Sequence, residues 1–407
     1  MKHFLKLAVS SVLMVGLAGG LFGNGLNLNG NGSKAVGMGG AFVGLADDFS
    51  AVFWNPAGLI QMKKSNLSIF ITDVIPTGTY QLGVMGIDTT TETKHYFSGG
   101  IGYFKPISDK LVIGIYGYVP SGIGAVWNGA DLAVLSSRKS YDWKSFFGVL
   151  TISPAVAFKI TDTLTLGATI NFNYGMLKLD KPGLGQYHED ANGFAMGATL
   201  GMLFKPSDLI SIGLTYKLPI KANLKGTVEM SGAPLMGLNP SDDSVRETKL
   251  PMWLAAGIAL KPNDKLTITA DAQYTNWKKL DVIPMSYSNV GWKTYLESAS
   301  DLHLNWKNAT QIRFGLEYKL SESFALRGGY YNDPLVSPKS TQNILLPEVS
   351  YNWITVGFGY KTASMTLDAS VEYGIGKDVE VGLLDGGMPG IHGMNVLCPN
   401  ISFTFNL

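Results

Sequence analysis

The sequence predicts an all-β transmembrane fold: an antiparallel β-barrel of about 14 strands whose lumen is plugged by an N-terminal hatch. Three observations carry that reading. Charged residues are only 15% of the 407, well under the roughly 25% of soluble domains, while 46% hydrophobic and 11% aromatic content is too apolar for disorder. From about residue 65 onward, polar and apolar residues alternate with the period of a strand that has one wet and one oily face. The connections between these segments are short and long by turns, as in a barrel with tight turns on one rim and loops on the other. A soluble β-sandwich is the competing architecture. It also alternates, but its connections would not sort this way along a whole chain.

The first element is an address. Residues 1–23 read as a secretory signal, with Lys2 and Lys6 before the apolar run Leu7–Leu17 and with small residues at Ala18, Gly19, Gly20 and Gly23 suited to cleavage. A retained anchor is the alternative, and the run is marginal in length for one. Past residue 22 no uncharged apolar stretch approaches the roughly 20 residues of a spanning helix. The single cysteine, Cys398, excludes a disulfide framework and a Cys-rich zinc site. Lys+Arg and Asp+Glu number 32 and 31, so there is no nucleic-acid footprint. A signal with almost no cysteine points to a Gram-negative envelope.

The barrel segments follow. In one, Leu266, Ile268, Ala270, Ala272 and Tyr274 alternate with Thr267, Thr269, Asp271 and Gln273. The same pattern marks segments near 65–73, 94–105, 110–120, 145–160, 163–175, 192–205, 208–225, 250–261, 264–277, 309–320, 323–331, 351–361, 364–376 and 396–407. Turn chemistry joins them in pairs, as in Lys205-Pro206-Ser207-Asp208 and Lys261-Pro262-Asn263-Asp264. Loops are expected at 74–93, 121–144, 176–191, 226–249, 278–308, 332–350 and 377–395. Tyr96, Tyr103, Tyr174, Tyr216, Trp277, Tyr318, Tyr330, Tyr351, Trp353 and Tyr373 sit near segment ends, which fits interfacial girdles. The last segment alternates up to Leu407, a terminal strand of the kind barrel-assembly machinery reads.

Residues 24–64 do not alternate. They are too glycine-rich for a stable helix alone, yet Phe42, Val43, Leu45, Phe49, Val52, Phe53 and Trp54 are too apolar for a disordered periplasmic tail, the alternative reading. A barrel of about 14 strands is too wide for its own side chains to fill, so this segment is the expected plug and 65–407 the barrel.

Gly39-Gly40-Ala41-Phe42-Val43-Gly44-Leu45-Ala46-Asp47-Asp48, followed by Trp54-Asn55-Pro56-Ala57-Gly58-Leu59, resembles the hatch of the FadL/TodX outer-membrane transporters. Ser153-Pro154-Ala155-Val156-Ala157-Phe158 is similar to that family's fourth strand. Ala325–Tyr330 and Trp353–Tyr360 are similar to its eleventh and twelfth. The resemblance implies a 14-stranded plugged barrel carrying hydrophobic molecules such as fatty acids or hydrocarbons, which enter a lumenal pocket and leave sideways beside a kinked third strand. It implies that Asn55, Pro56 and Ala57 abut that kink and gate it. Gly114, Gly117, Pro120, Gly122 and Gly124 crowd the corresponding segment, and Gly and Pro weaken a strand there on their own terms. The bland reading is that Pro120 merely ends the strand.

Alternation points Arg313 and Arg327 inward, where either could hold a carboxylate by paired hydrogen bonds; inward Arg and Glu also form wall networks, as Arg313 and Glu317 could. Leu26 and Leu28 are candidates for an apolar tip in the pocket, and Met230, Leu235, Met236 and Leu238 for an outer groove. No cofactor, metal site or catalytic residue is expected. Asp47-Asp48 lacks calcium-loop spacing, and His3, His95, His188, His303 and His392 stand in no GxSxG, HExxH or P-loop motif. The expected partners are a hydrophobic small molecule (fatty acid, hydrocarbon or detergent), outer-membrane lipid and the barrel-assembly machinery, with the protein a monomer. A general diffusion porin and, more remotely, an outer-membrane lipolytic enzyme are the rival functions.

Overall fold

In a computed structural model, residues 25–28 and 30–407 are described; the expected signal segment lies outside them. Fourteen antiparallel staves form the wall. They are β1 (Asn66–Leu82), β2 (Tyr96–Ser108), β3 (Leu111–Trp127), β4 (Trp143–Lys159), β5 (Leu164–Gly183), β6 (Gly185–Ser207) and β7 (Ile210–Lys217 continued by Ile220–Met230). Then come β8 (Ser241–Leu250 continued by Trp253–Leu260), β9 (Leu266–Thr275), β10 (Ala309–Lys319), β11 (Phe324–Asp333), β12 (Ser350–Lys361), β13 (Met365–Lys377) and β14 (Gly390–Asn406). Each pairs with its sequence neighbour, and β14 returns to β1 from Asn66↔Asn406 to Gln81↔Ile391. Closure leaves no wall edge at this seam, the only sheet solution lipid permits.

Alternation decides which face is wet. On β9, Thr267, Thr269, Asp271 and Gln273 are buried in the lumen, while Ile268 faces out. Phe172 on β5, Leu214 on β7, Leu316 on β10 and Val356 on β12 are likewise exposed. So continuous an apolar waistband would be anomalous in water and is what a bilayer requires.

Two expectations need correction. Most of the expected loops are hairpins: β5 and β6 meet at Leu184, and β1, β3 and β14 run well past their expected ends. Beyond the bilayer both faces of a strand are wet, so the period that reveals it disappears while its ladder continues. Trp277 and Trp353 lie in no girdle. Trp277 is buried against Trp306 in a loop, and Trp353 is buried beside Tyr331. The outer hairpins are fastened by Arg246, which donates to both Glu189 carboxylate oxygens at 2.5 and 2.8 Å and to the Ile283 and Ser300 carbonyls.

The segment before β1 sits inside the barrel. It comprises α1 (Ser33–Gly37), α2 (Ala51–Trp54) and a 3-10 turn (Pro56–Gln61), around a core containing Phe42, Phe49 and Trp54. Its seat is made by glycines. A Cβ on Gly167, Gly201, Gly213, Gly257, Gly315 or Gly329 would lie under 3.0 Å from hatch atoms. These six belong to β5, β6, β7, β8, β10 and β11, so hatch backbone lies directly on wall backbone around much of the bore. Directed bonds add to this. Asp271 accepts from the Phe42 and Val43 amides at 2.8 and 2.9 Å, and Thr355 bridges Gly37 and Gly39.

Candidate functional site

The wall is irregular in one sector. The β2–β3 ladder runs from Ser108↔Leu111 to Gly100↔Tyr118 and stops there; β2 continues to Tyr96 paired only with β1, and β3 continues past Val119 paired with β4. The β3–β4 register itself shifts between Tyr118 and Ser121. Pro120 accounts for the break, because it has no amide to donate. A contact at the top, Glu92 N–H to the Val126 carbonyl at 2.8 Å, rejoins the rim.

The hatch tip takes the edge that β2 leaves. Leu28 N–H donates to the Pro120 carbonyl at 3.0 Å, Gly122 N–H donates to the Leu26 carbonyl at 3.1 Å, and Asn27 bridges Ser121. Gly25 donates a backbone hydrogen bond to Glu348, in the connection between β11 and β12. Burial holds that carboxyl well above its usual range, nearby Asp333 adds to the rise, and the Gly25 bond opposes it.

Three cavities meet this tip. The main one, about 320 Å³, is lined by Leu28, Val119, Gly122 and Gly124 and reaches from lumenal Trp353 and Cys398 to Phe97 and Leu150. Phe97 is 75% exposed on the outer surface, and Cys398 only 3%. One space therefore touches both faces of the wall at the ladder break. A second, of about 220 Å³, lies under the outer hairpins and holds Leu26 among Leu177, Leu179, Leu302 and Leu304. The third, about 80 Å³, rests on the hatch and is the most polar of the three, with Lys217, Arg313, Gln273 and Gln311 in its lining. The Lys217 ammonium lies 3.4 Å from the Phe53 ring centroid and 4.4 Å from that of Trp253. Asn27, Leu28 and Ser121 line both this compartment and the main cavity.

The expected residues divide accordingly. Leu26, Leu28, Gly122 and Gly124 line cavities at the break. Gly114 and Gly117 do not; both sit in the intact ladder, opposite Phe104 and Ile101. Asn55 is fully buried but does not reach the kink with its side chain. Its amide donates to the Val43 and Met202 carbonyls, both at 2.9 Å, and its oxygen accepts from Ala57 N–H at 3.2 Å. Pro56 and Ala57 lie against Gly167 and Gly201 of β5 and β6 rather than against the ladder break.

Arg313 lines the polar compartment, donates to the Gly39 carbonyl and Gln311, and lies 4.0 Å from the Tyr331 ring centroid. Arg327 is held by Glu317 and Asp368, each at 2.7 Å, toward the short-turn rim and away from the three cavities. The wall network expected of Arg313 and Glu317 is thus made by Arg327 with Glu317 and Asp368. Asp47 pairs with Lys34 at 2.8 Å, and Asp48 accepts from the Ser50 amide and hydroxyl. Burial pushes the Asp48 carboxyl up to about 7. Among the described residues no group of three or more His, Cys, Asp or Glu side chains could hold a metal. Met230 is buried, Leu235 and Met236 are exposed at a hairpin tip, and Leu238 packs on the outer core.

Sequence reading missed Lys217, Glu348 and the lumenal role of Trp353. A signal for the first existed: Lys217-Leu218-Pro219 breaks the alternation of its segment, which is where β7 is interrupted.

Comparison with known proteins agrees with this architecture. A family model described as outer membrane protein transport protein (OMPP1/FadL/TodX) matches residues 14–390. A putative outer membrane protein of Neisseria meningitidis is 23% identical, over 77% of this chain and 78% of its own. Outer membrane protein P1 of Haemophilus influenzae is 20% identical over 82% of each. Among solved structures, a Pseudomonas aeruginosa FadL homologue superposes with a TM-score of 0.79 at 17% identity, covering 94% of this chain and 100% of that one. The Pseudomonas putida toluene transporter TodX gives 0.75 at 18%, covering 96% and 100%.

Proposed function

Because this chain belongs to the OMPP1/FadL/TodX family of outer-membrane transporters of hydrophobic compounds, we propose that it carries a hydrophobic molecule passively from the outer hairpins into the lumen and releases it sideways into the membrane. One observation carries the lateral route: a single apolar cavity touches the lumen and the lipid face at the β2–β3 ladder break. The straight route to the short-turn rim is blocked by a hatch seated on glycine. Energetics favour the sideways route. An apolar chain gains roughly 0.8 kcal/mol per CH₂ on leaving water, which exit into the periplasm would forfeit and exit into lipid keeps.

On this reading the tip, Gly25–Leu28, is the moving part, Leu26 and Leu28 occupy space that cargo takes, and Asn55-Pro56-Ala57 fixes the hatch that the tip moves against. Fatty acids and neutral hydrocarbons are both within the family's reach. The test is Gly122→Phe. An added Cβ there finds its nearest neighbours at 3.7 and 3.9 Å, so a ring fills the cavity without a clash at its root. Uptake of a radiolabelled hydrocarbon into cells should fall at least tenfold with the barrel still folded; undiminished uptake sinks the lateral route. A large steady ion current through the unaltered protein in planar bilayers would instead favour the porin.

A further inference from the structure

The main cavity has a chemical bias that an oily passage does not need. Asp333, Glu348 and Glu372 are in its lining, buried to 3, 5 and 6% exposure, and among the described residues no Lys, Arg or His is. Glu372 already accepts from the Tyr331 hydroxyl at 2.8 Å, and Asp333 from the Gln311 amide at 2.7 Å. Trp353 is in the same lining and only 4% exposed, and its indole N–H has no hydrogen-bond partner. Trp353 and Glu372 are diagonal neighbours, since Trp353 pairs with Gly374 and Glu372 with Thr355 across β12 and β13. Tyr331 touches both, stacking on Trp353 at 5.5 Å between centroids. A buried orphan donor costs roughly 1–3 kcal/mol, so this corner is built for an oxygen that no described residue supplies.

The geometry points to an uncharged hydroxylated hydrophobe, an apolar alcohol or phenol, as the preferred cargo of this cavity; the inference rests on the transport reading and names its substrate class. The hydroxyl oxygen accepts from Trp353 Nε1 and the hydroxyl proton is donated to a lining carboxyl, with Glu372 best placed. Each rival head group fails one half of that pairing. A carboxylate has no proton to give Glu372, and its charge would be buried in a lining with no described Lys, Arg or His to pair with it. An alkylammonium has no lone pair for the indole. A hydrocarbon leaves both protein groups as they were.

Equilibrium binding of radiolabelled decane, 1-decanol, decanoate and decylamine to the full-length protein in lipid nanodiscs at neutral pH tests this. Decanol should bind about tenfold more tightly than the other three, the worth of one net hydrogen-bond pairing. Trp353→Phe keeps an aromatic ring but removes the indole N–H, and should erase the advantage of decanol over decane. Glu372→Gln, chosen in case the indole is needed for folding, should weaken decanol at least threefold. Decanoate or decylamine binding as tightly as decanol overturns the inference, as does an unchanged decanol-to-decane ratio in both variants. Equal binding of all four ligands overturns it and leaves the transport reading standing. If none binds, the transport reading falls with it.

Discussion

The hatch core and the hatch tip are adjoining parts of one segment, held in opposite ways. The core touches six staves through glycine, donates two backbone amides to Asp271 of the wall, and buries Phe42 and Phe49 almost completely. The tip has a short strand's worth of hydrogen bonds to β3 at Pro120 and Gly122, and it borders all three cavities. What the difference teaches is where motion can be confined. Backbone laid on backbone, with no side chain between, has no rotamer through which to yield; a few ladder bonds beside open space can exchange for cargo.

The comparison breaks first at the glycine seat. Gly257→Val sets a branched side chain where even a Cβ would lie under 3.0 Å from Gly44 and Asp271. Overpacking of this kind costs about 1–3 kcal/mol or more, so the hatch should be displaced and planar-bilayer conductance should rise at least tenfold; unaltered conductance would show that the core is not rigidly seated. Asn55→Ala comes next. It strips the donors from the Val43 and Met202 carbonyls, at about 1–3 kcal/mol per orphaned group. Uptake should drop several-fold while the barrel keeps its heat-resistant folded band on gels, and full uptake would deny this element any gating part.

Leu28→Ala sharpens the contrast from the other side. It enlarges the space shared by two cavities without touching the core, so uptake should change two- to fivefold with conductance and melting temperature unmoved. A fall in melting temperature matching that of Asn55→Ala would erase the distinction between tip and core. The smallest effect is electrostatic. Burial raises Asp48 from 3.8 to about 7, so between those values the folded chain holds a proton that the unfolded chain has lost. Its contribution is fully favourable below the unfolded value and declines as pH rises through the folded one, by about 1.4 kcal/mol per pH unit at most. Asp48→Asn should flatten the melting profile over that window, and an unchanged slope would place the carboxyl in contact with water.

What could be read from the sequence was what repeats. Alternation found the staves of β9 and β13 because each must present one face to lipid, and Lys261-Pro262-Asn263-Asp264 marked a tight turn by its own chemistry. The hatch motif located the plug. Partners across strands were hidden. Arg327 looks like a free cation until register places Glu317 opposite it and brings Asp368 across β12. Trp353 looked interfacial for its place near a segment end, yet its parity puts it in the lumen with Tyr331. Asn55 showed donor and acceptor capacity, but which backbone groups it satisfies depends on a wall segment 147 residues away.

The glycine ring also constrains the order in which this object is made. The hatch precedes β1 in the chain, and β1 meets β14 along a ladder spanning Asn66 to Gln81. A stopper fitted this closely to bare wall cannot be threaded into a finished cylinder. A fit this close is most readily made while that seam is still open, which couples the seating of the hatch to the closing of β1 on β14.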